Sequence, residues 1–100
     1  EWANGTLNNK PAGVFTSSST LHGGQESTLL TMAIPLIHHG MLFVGIPPTE
    51  LALSRTKGGG SPYGASHVTW NQEGDRLSND EKEIAQSLGR RVAKLASKLK

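Results

Sequence analysis

The chain alternates between short apolar blocks and polar, glycine-rich stretches, and the length of each block limits what it can form. PAGVFT at 11–16 is a brief apolar run that begins at a proline and runs out into the polar tract Ser17, Ser18, Ser19, Thr20, the pattern of a buried strand ending in a loop. After Gly23 and Gly24, QEST at 25–28 leads into LLTMAIPLI at 29–37, too long for a typical strand and suited to a helix. Glu26 falls in its first turn, Pro35 is expected to kink it, and Gly40 after His38 and His39 is a natural stop. Its apolar content predicts a largely buried helix. MLFVGI at 41–46, closed by Pro47 and Pro48, lacks polar alternation and reads as a parallel strand covered on both faces. Strand, helix and strand make a βαβ unit.

Residues 47–77 show little periodicity and much Gly, Pro, Ser and Thr, and are expected to form a long loop. Ser78-Asn79-Asp80-Glu81 then matches a capping box, followed by Ile84, Leu88, Val92, Leu95 and Leu99 at the spacing of an amphipathic helix. Two parallel strands and two helices are an incomplete object, because a narrow parallel sheet leaves bare faces and unpaired edges. Further strands are expected from an omitted N-terminal segment, a second chain or a swapped partner. The start at Glu1-Trp2, without methionine, makes an omitted N-terminal segment the simplest of these.

At 100 residues and 35% apolar content there is material for one core and not two, which assigns residues 1–100 to part of a single domain. Without cysteine there are no disulfides, thiolate nucleophiles or thiolate zinc sites, a composition compatible with the cytoplasm, where the protein is expected. No apolar run is long enough to span a membrane. The net charge of +2 is modest, and Arg90, Arg91, Lys94, Lys98 and Lys100 fit the solvated face and last turns of a helix better than a nucleic-acid footprint.

The tract from Thr16 to Gly24 lies where a strand's carboxyl end meets a helix N-terminus, the usual place for a ligand in an open α/β sheet, though such tracts are more often plain turns. Other chemistries are poorly supported. The phosphate loop G-x-x-x-x-G-K-[ST] is absent, and Gly58 to Gly64 do not supply G-x-G-x-x-G between a strand and a helix. His38 and His39 project about 100° apart on a helix and do not share a metal-binding face. Ser17, His22 and His67 lack the G-x-S-x-G setting of a nucleophile. Trp2 and Trp70 are able to stack on a planar ligand, but an isolated tryptophan more often packs.

Taken in order, KPAGVFTS at 10–17, LHGGQE at 21–26, HHGM at 38–41 and GSPYGASH at 60–67 resemble one family, the tryptophan-repressor-binding proteins, WrbA. The resemblance extends from Trp2 to the end. It implies a flavodoxin-like α/β fold, a parallel sheet with helices on both faces, of which this chain supplies the C-terminal β-α-β-α portion. It further implies bound FMN, NAD(P)H as co-substrate, two-electron quinone reduction by a ping-pong exchange, and a homo-oligomer, dimer or tetramer, with sites near subunit boundaries.

By position, Ser17, Ser18, Ser19, Thr20, Leu21 and His22 match the family loop along FMN, with Gly23 permitting a close turn; His38 matches a histidine near the flavin. Trp2 matches a tryptophan beside the ring, where a nicotinamide or quinone stacks, and Tyr63 is expected to help enclose a site. FMN carries the chemistry, so no general base or nucleophile is assigned. The family segment that cradles the FMN phosphate belongs to the N-terminal half and is not in this sequence. The stretch VTWNQEG at 68–74 is bulkier than the short turn expected there.

Overall fold

The computed structural model describes residues 2–70 and 76–100; of the bulky stretch just named, residues 71–74 lie outside the described residues. A short 3-10 turn, Trp2–Asn4, leads to β1 (Pro11–Ala12) and β2 (Phe15–Ser18), then α1 (Gln25–His38), β3 (Leu42–Phe43), α2 (Ala52–Arg55), β4 (Ala65–Val68) and α3 (Asn79–Lys98). Among the described residues every pairing between strands is parallel: β1 with β3, Pro11 opposite Leu42, and β2 with β4, Phe15 opposite Ala65 and Ser18 opposite Val68.

These are two separate two-stranded pairs that meet along residues 11–18. The carbonyls of Lys10 and Ala12 accept from Leu42 and Val44, and that of Ser18 accepts from Thr69. All three acceptors are even-numbered, and alternate residues of a strand present their backbone groups to the same edge. Residues 10–18 therefore use one edge throughout, first for β3 and then for β4. The handover occurs at Val44 to Ile46, where Ile46 N–H turns away to donate to Pro62 O at 3.0 Å. Gly45 lies so close to the Pro62 carbonyl that a side chain there has no room. The expected α/β class and βαβ unit are present; the expected loop over 47–77 instead contains α2 and β4, and β4 extends the sheet.

The helices cover opposite faces. Val14 and Leu29 are buried together with Ala33 on the α1 side, while Val44, Ile46, Ala52, Ala65, Ile84 and Leu88 form the core on the α3 side, with Leu53, Val92 and Leu95 packed against it. Leu99 follows the end of α3 and is half exposed, so the amphipathic stripe contributes to the core only as far as Leu95. α3 starts with the expected capping box: Ser78 Oγ accepts from Glu81 N–H at 3.1 Å and Glu81 Oε1 from Ser78 N–H at 2.9 Å.

α1 continues through Pro35 and ends at Gly40 (φ 78°), where Gly40 N–H donates to Ile37 O and Met41 N–H to Leu36 O, the paired bonds of a Schellman stop. It is not largely buried. Only Leu29 and Ala33 are enclosed, and Leu30, Ile34 and Ile37 remain exposed along a second apolar stripe, because a ladder this narrow covers one flank of a helix. Among the described residues, no helix is long and apolar enough to cross a membrane.

Candidate functional site

β2 ends in the predicted turn, and the turn is tied to itself. Ser18 Oγ donates to Thr20 O at 2.8 Å, and Gly23 N–H donates to the same carbonyl at 3.2 Å. Gly23 is required by close approach: a Cβ there falls 2.8 Å from Ser18 Cβ and 3.2 Å from Thr20 O. Gly23→Ala is expected to cost about 1–3 kcal/mol through this overpacking, read as a lower urea midpoint with an unchanged m-value.

Ser19, Thr20, Leu21 and His22 are exposed. Among the described residues their N–H groups meet no backbone partner outside the turn. Of these, Leu21 and His22 line a cleft of about 400 Å³, with the start of α1 beside them and Gly58, Gly59, Gly60, Ser61 and Ser66 opposite.

The glycine wall of this cleft is held by Glu81, whose carboxylate is fully buried. Its Oε2 accepts from Gly59 N–H at 2.7 Å and Val68 N–H at 2.9 Å, and its Oε1 from Ser78 N–H at 2.9 Å with His67 Nδ1 also at 2.9 Å. Two further bonds brace the loop, Thr56 Oγ1 donating to Gly59 O and Gly60 N–H donating to Ser66 Oγ, both at 2.7 Å. Burial pushes the Glu81 carboxyl up, but the hydrogen bonds from Ser78, Val68, His67 and Gly59 together outweigh it and leave the pKa below its ordinary value. The capping box was a sequence signal for Glu81; nothing in the sequence showed that its carboxylate reaches Gly59 and β4.

Trp2 and His38, far apart in sequence, meet directly. Their rings stack with centroids 5.0 Å apart and planes 8° from parallel, and Trp2 Nε1–H donates to His38 O at 2.8 Å. His39 lies edge-on to His38 and does not share a face with it.

The structure does not bring this pair to the Ser17–Gly23 turn within one copy. The turn precedes α1 at the carboxyl end of β2, whereas His38 is the last residue of α1 and leads into the amino end of β3. Fourteen residues of helix separate the two groups by roughly 20 Å at 1.5 Å per residue. Tyr63 sits in the 61–64 turn, its N–H donating to Ser61 Oγ at 3.2 Å, and belongs to neither group.

The turn fits the polar edge of a planar ring, since it offers free N–H groups and hydroxyls beside an open cleft. It carries no Lys or Arg between 17 and 24 to meet a phosphate. Among the described residues, no group of three His, Cys, Asp or Glu side chains is placed to hold a metal ion.

No family model matches the chain. It is 50% identical over 101 residues to a protein of Geobacter sulfurreducens named NAD(P)H dehydrogenase (quinone), 45% identical over 100 residues to one of that name from Methanosarcina barkeri, and 48% identical over 102 residues to one from Rhizobium rhizogenes. Each match takes in 98% of this chain and 48–50% of the relative, so the chain spans about half the length of the curated relatives it matches. The four motifs in family order, the parallel α/β framework and identities of this level along nearly its whole length are consistent with the WrbA-like family, and the relatives matched here are named NAD(P)H dehydrogenase (quinone).

Proposed function

We propose that this chain is the C-terminal half of a flavodoxin-like domain that reduces quinones with NAD(P)H through bound FMN, in a cytoplasmic homo-oligomer. The observation that carries the reading is the exposed Ser19–His22 turn at the carboxyl end of the sheet, of which Leu21 and His22 border an open cleft. Bound there, FMN supplies ping-pong hydride transfer from the nicotinamide to the quinone. The turn orients the ring's polar edge, Gly23 keeps its backbone close, and the Glu81-braced glycine loop shields the cleft from one side. The names of the relatives support the substrate class.

The roughly 20 Å of helix between the turn and the Trp2–His38 stack supports a reading in which they act from different copies, the stack of one protomer facing the flavin held by the turn of another and giving a nicotinamide or quinone an aromatic surface. The phosphate is held by the half of the protein that this chain does not span.

FMN titration tests the reading, comparing this chain alone with the chain fused behind the unmatched half of the Geobacter sulfurreducens relative. Quenching of flavin fluorescence is expected in the fusion, at an affinity about a hundredfold or more above that of the chain alone, because charge-assisted phosphate contacts are gained. Equal tight binding by the chain alone refutes the need for the other half. Binding by neither leaves a non-catalytic remnant or interaction module.

A further inference from the structure

A second cleft, of about 390 Å³, adjoins the first, and Leu21 and Gly58 line both. It too lies at the carboxyl end of the sheet: Trp70, on its wall, follows Thr69, whose N–H donates to Ser18 O at the end of β2. Its volume is in the range of about 300–1,000 Å³ usual for small-molecule sites. Nothing assigned to the flavin uses Trp70, Lys57 or Arg55.

These three side chains give the second cleft a chemistry that the first lacks. Trp70 is 63% exposed, and an indole left open at a cleft is a platform for a planar base. Lys57 is exposed and forms no ion pair among the described residues. The backbone beside it is nevertheless fixed, because Gly58 N–H donates to Thr56 Oγ1 at 3.3 Å and that hydroxyl donates to Gly59 O at 2.7 Å. Arg55 is already engaged, its Nε donating to Asp80 Oδ1 at 3.2 Å and its Nη2 to Glu83 Oε2 at 2.6 Å.

That pairing decides the sign of the cleft. Asp80 lines it as well, and an unpaired carboxylate there would repel a phosphate and accept from a ribose 2′-hydroxyl, the arrangement that suits NAD. With Arg55 against Asp80 the carboxylate is offset, and Lys57 remains as the cation without a partner. A single ammonium is a compact point charge that suits a phosphate monoester. The first cleft has neither Lys nor Arg on its lining.

We infer that the second cleft receives the adenosine end of the nicotinamide cofactor, with the adenine on Trp70 and the 2′-phosphate of NADPH on Lys57, so that Lys57 sets a preference for NADPH over NADH. The inference rests on the FMN-dependent reading above and deepens it. With the nicotinamide at a flavin in the first cleft, the other half of the dinucleotide has the adjoining cleft to lie in. Arg55 acts through Asp80 and is a positioning residue.

Titration calorimetry with adenosine 2′-phosphate, adenosine 5′-phosphate and inorganic phosphate tests it, on the same fusion before FMN is added. The 2′-phosphate is expected to bind about tenfold or more tighter than the 5′-phosphate, and Lys57→Ala to abolish the difference, as loss of a charge-assisted hydrogen bond does. With FMN bound, Lys57→Ala should raise the KM for NADPH by the same factor and leave the KM for NADH and both kcat values unchanged. Lys57→Arg, which keeps the charge, should recover most of the loss. Trp70→Ala should raise both KM values about tenfold, and Trp70→Phe, which keeps a stacking ring, should change them little. Both side chains are exposed, so melting temperatures should stay near the parent's.

Tighter binding of the 2′-phosphate in a fusion that binds no FMN keeps this cleft and removes the flavin assignment. A fusion that reduces quinones through FMN but binds the two adenosine phosphates equally overturns the inference and leaves the function standing. Inorganic phosphate binding as tightly as the 2′-phosphate shows an adventitious anion only and overturns it too. So does a Lys57→Ala variant whose KM values for NADPH and NADH rise together, or a fusion that binds none of the three.

Discussion

Glu81→Ala is expected to lower the stability of the chain by about 3–5 kcal/mol, the cost of removing one partner from a buried, hydrogen-bonded charge network. Four groups lose their acceptor at once: the N–H groups of Gly59, Val68 and Ser78, and His67 Nδ1. A domain of this size has only about 5–15 kcal/mol in total, so the variant should be largely unfolded in mild urea while the parent chain is folded.

The same carboxylate sets an acid limit. Because its pKa is depressed in the folded chain, the stability it contributes is complete above its ordinary value of 4.5 and is lost as pH falls from there through the folded value. Urea midpoints measured between pH 7 and pH 3 should drop below about pH 4.5 in the parent, and Glu81→Gln should show a flatter acid limb at lower overall stability. An equal acid slope in that variant assigns the limb to other carboxylates.

The second large effect concerns the turn and the stack, which the proposed function draws from different copies. In the fused protein, Trp2→Ala removes the stack and Ser19→Glu places a charged, longer side chain in the exposed turn; each is expected to lower quinone reduction at least about tenfold, as interactions worth 1.4 kcal/mol or more do. Co-produced in equal amounts, the two should recover. If a turn and a stack from different protomers form each site, half of the dimers are mixed and each holds one intact site of two, so about a quarter of the parent activity returns. No recovery places both groups on one flavin within a single copy and refutes the shared site.

The local signals of the fold were readable because they depend on near neighbours in sequence. The Ser78–Glu81 box, the Ile84-Leu88-Val92-Leu95 stripe and the Gly40 stop all appear where their patterns require. Burial of α1 was not readable, since a run such as Leu29 to Ile37 is equally apolar whether one flank is covered or both. β4 escaped notice for a related reason: Ala65, Ser66, His67 and Val68 have weak strand character and pair with β2 only because β3 peels away at Ile46.

For the site, the sequence by itself determined the residue types, a Ser/Thr/Gly turn at the end of a strand and, separately, Trp2 and His38, because motif order and turn chemistry are written in consecutive residues. Only the tertiary structure decided that Trp2 lies on His38, that both stand a helix length from the turn, and that Glu81 joins the glycine loop, β4 and α3. Those relations depend on where the chain returns after tens of residues. Long-range pairing and the burial of one carboxylate set that return, and no local pattern encodes either.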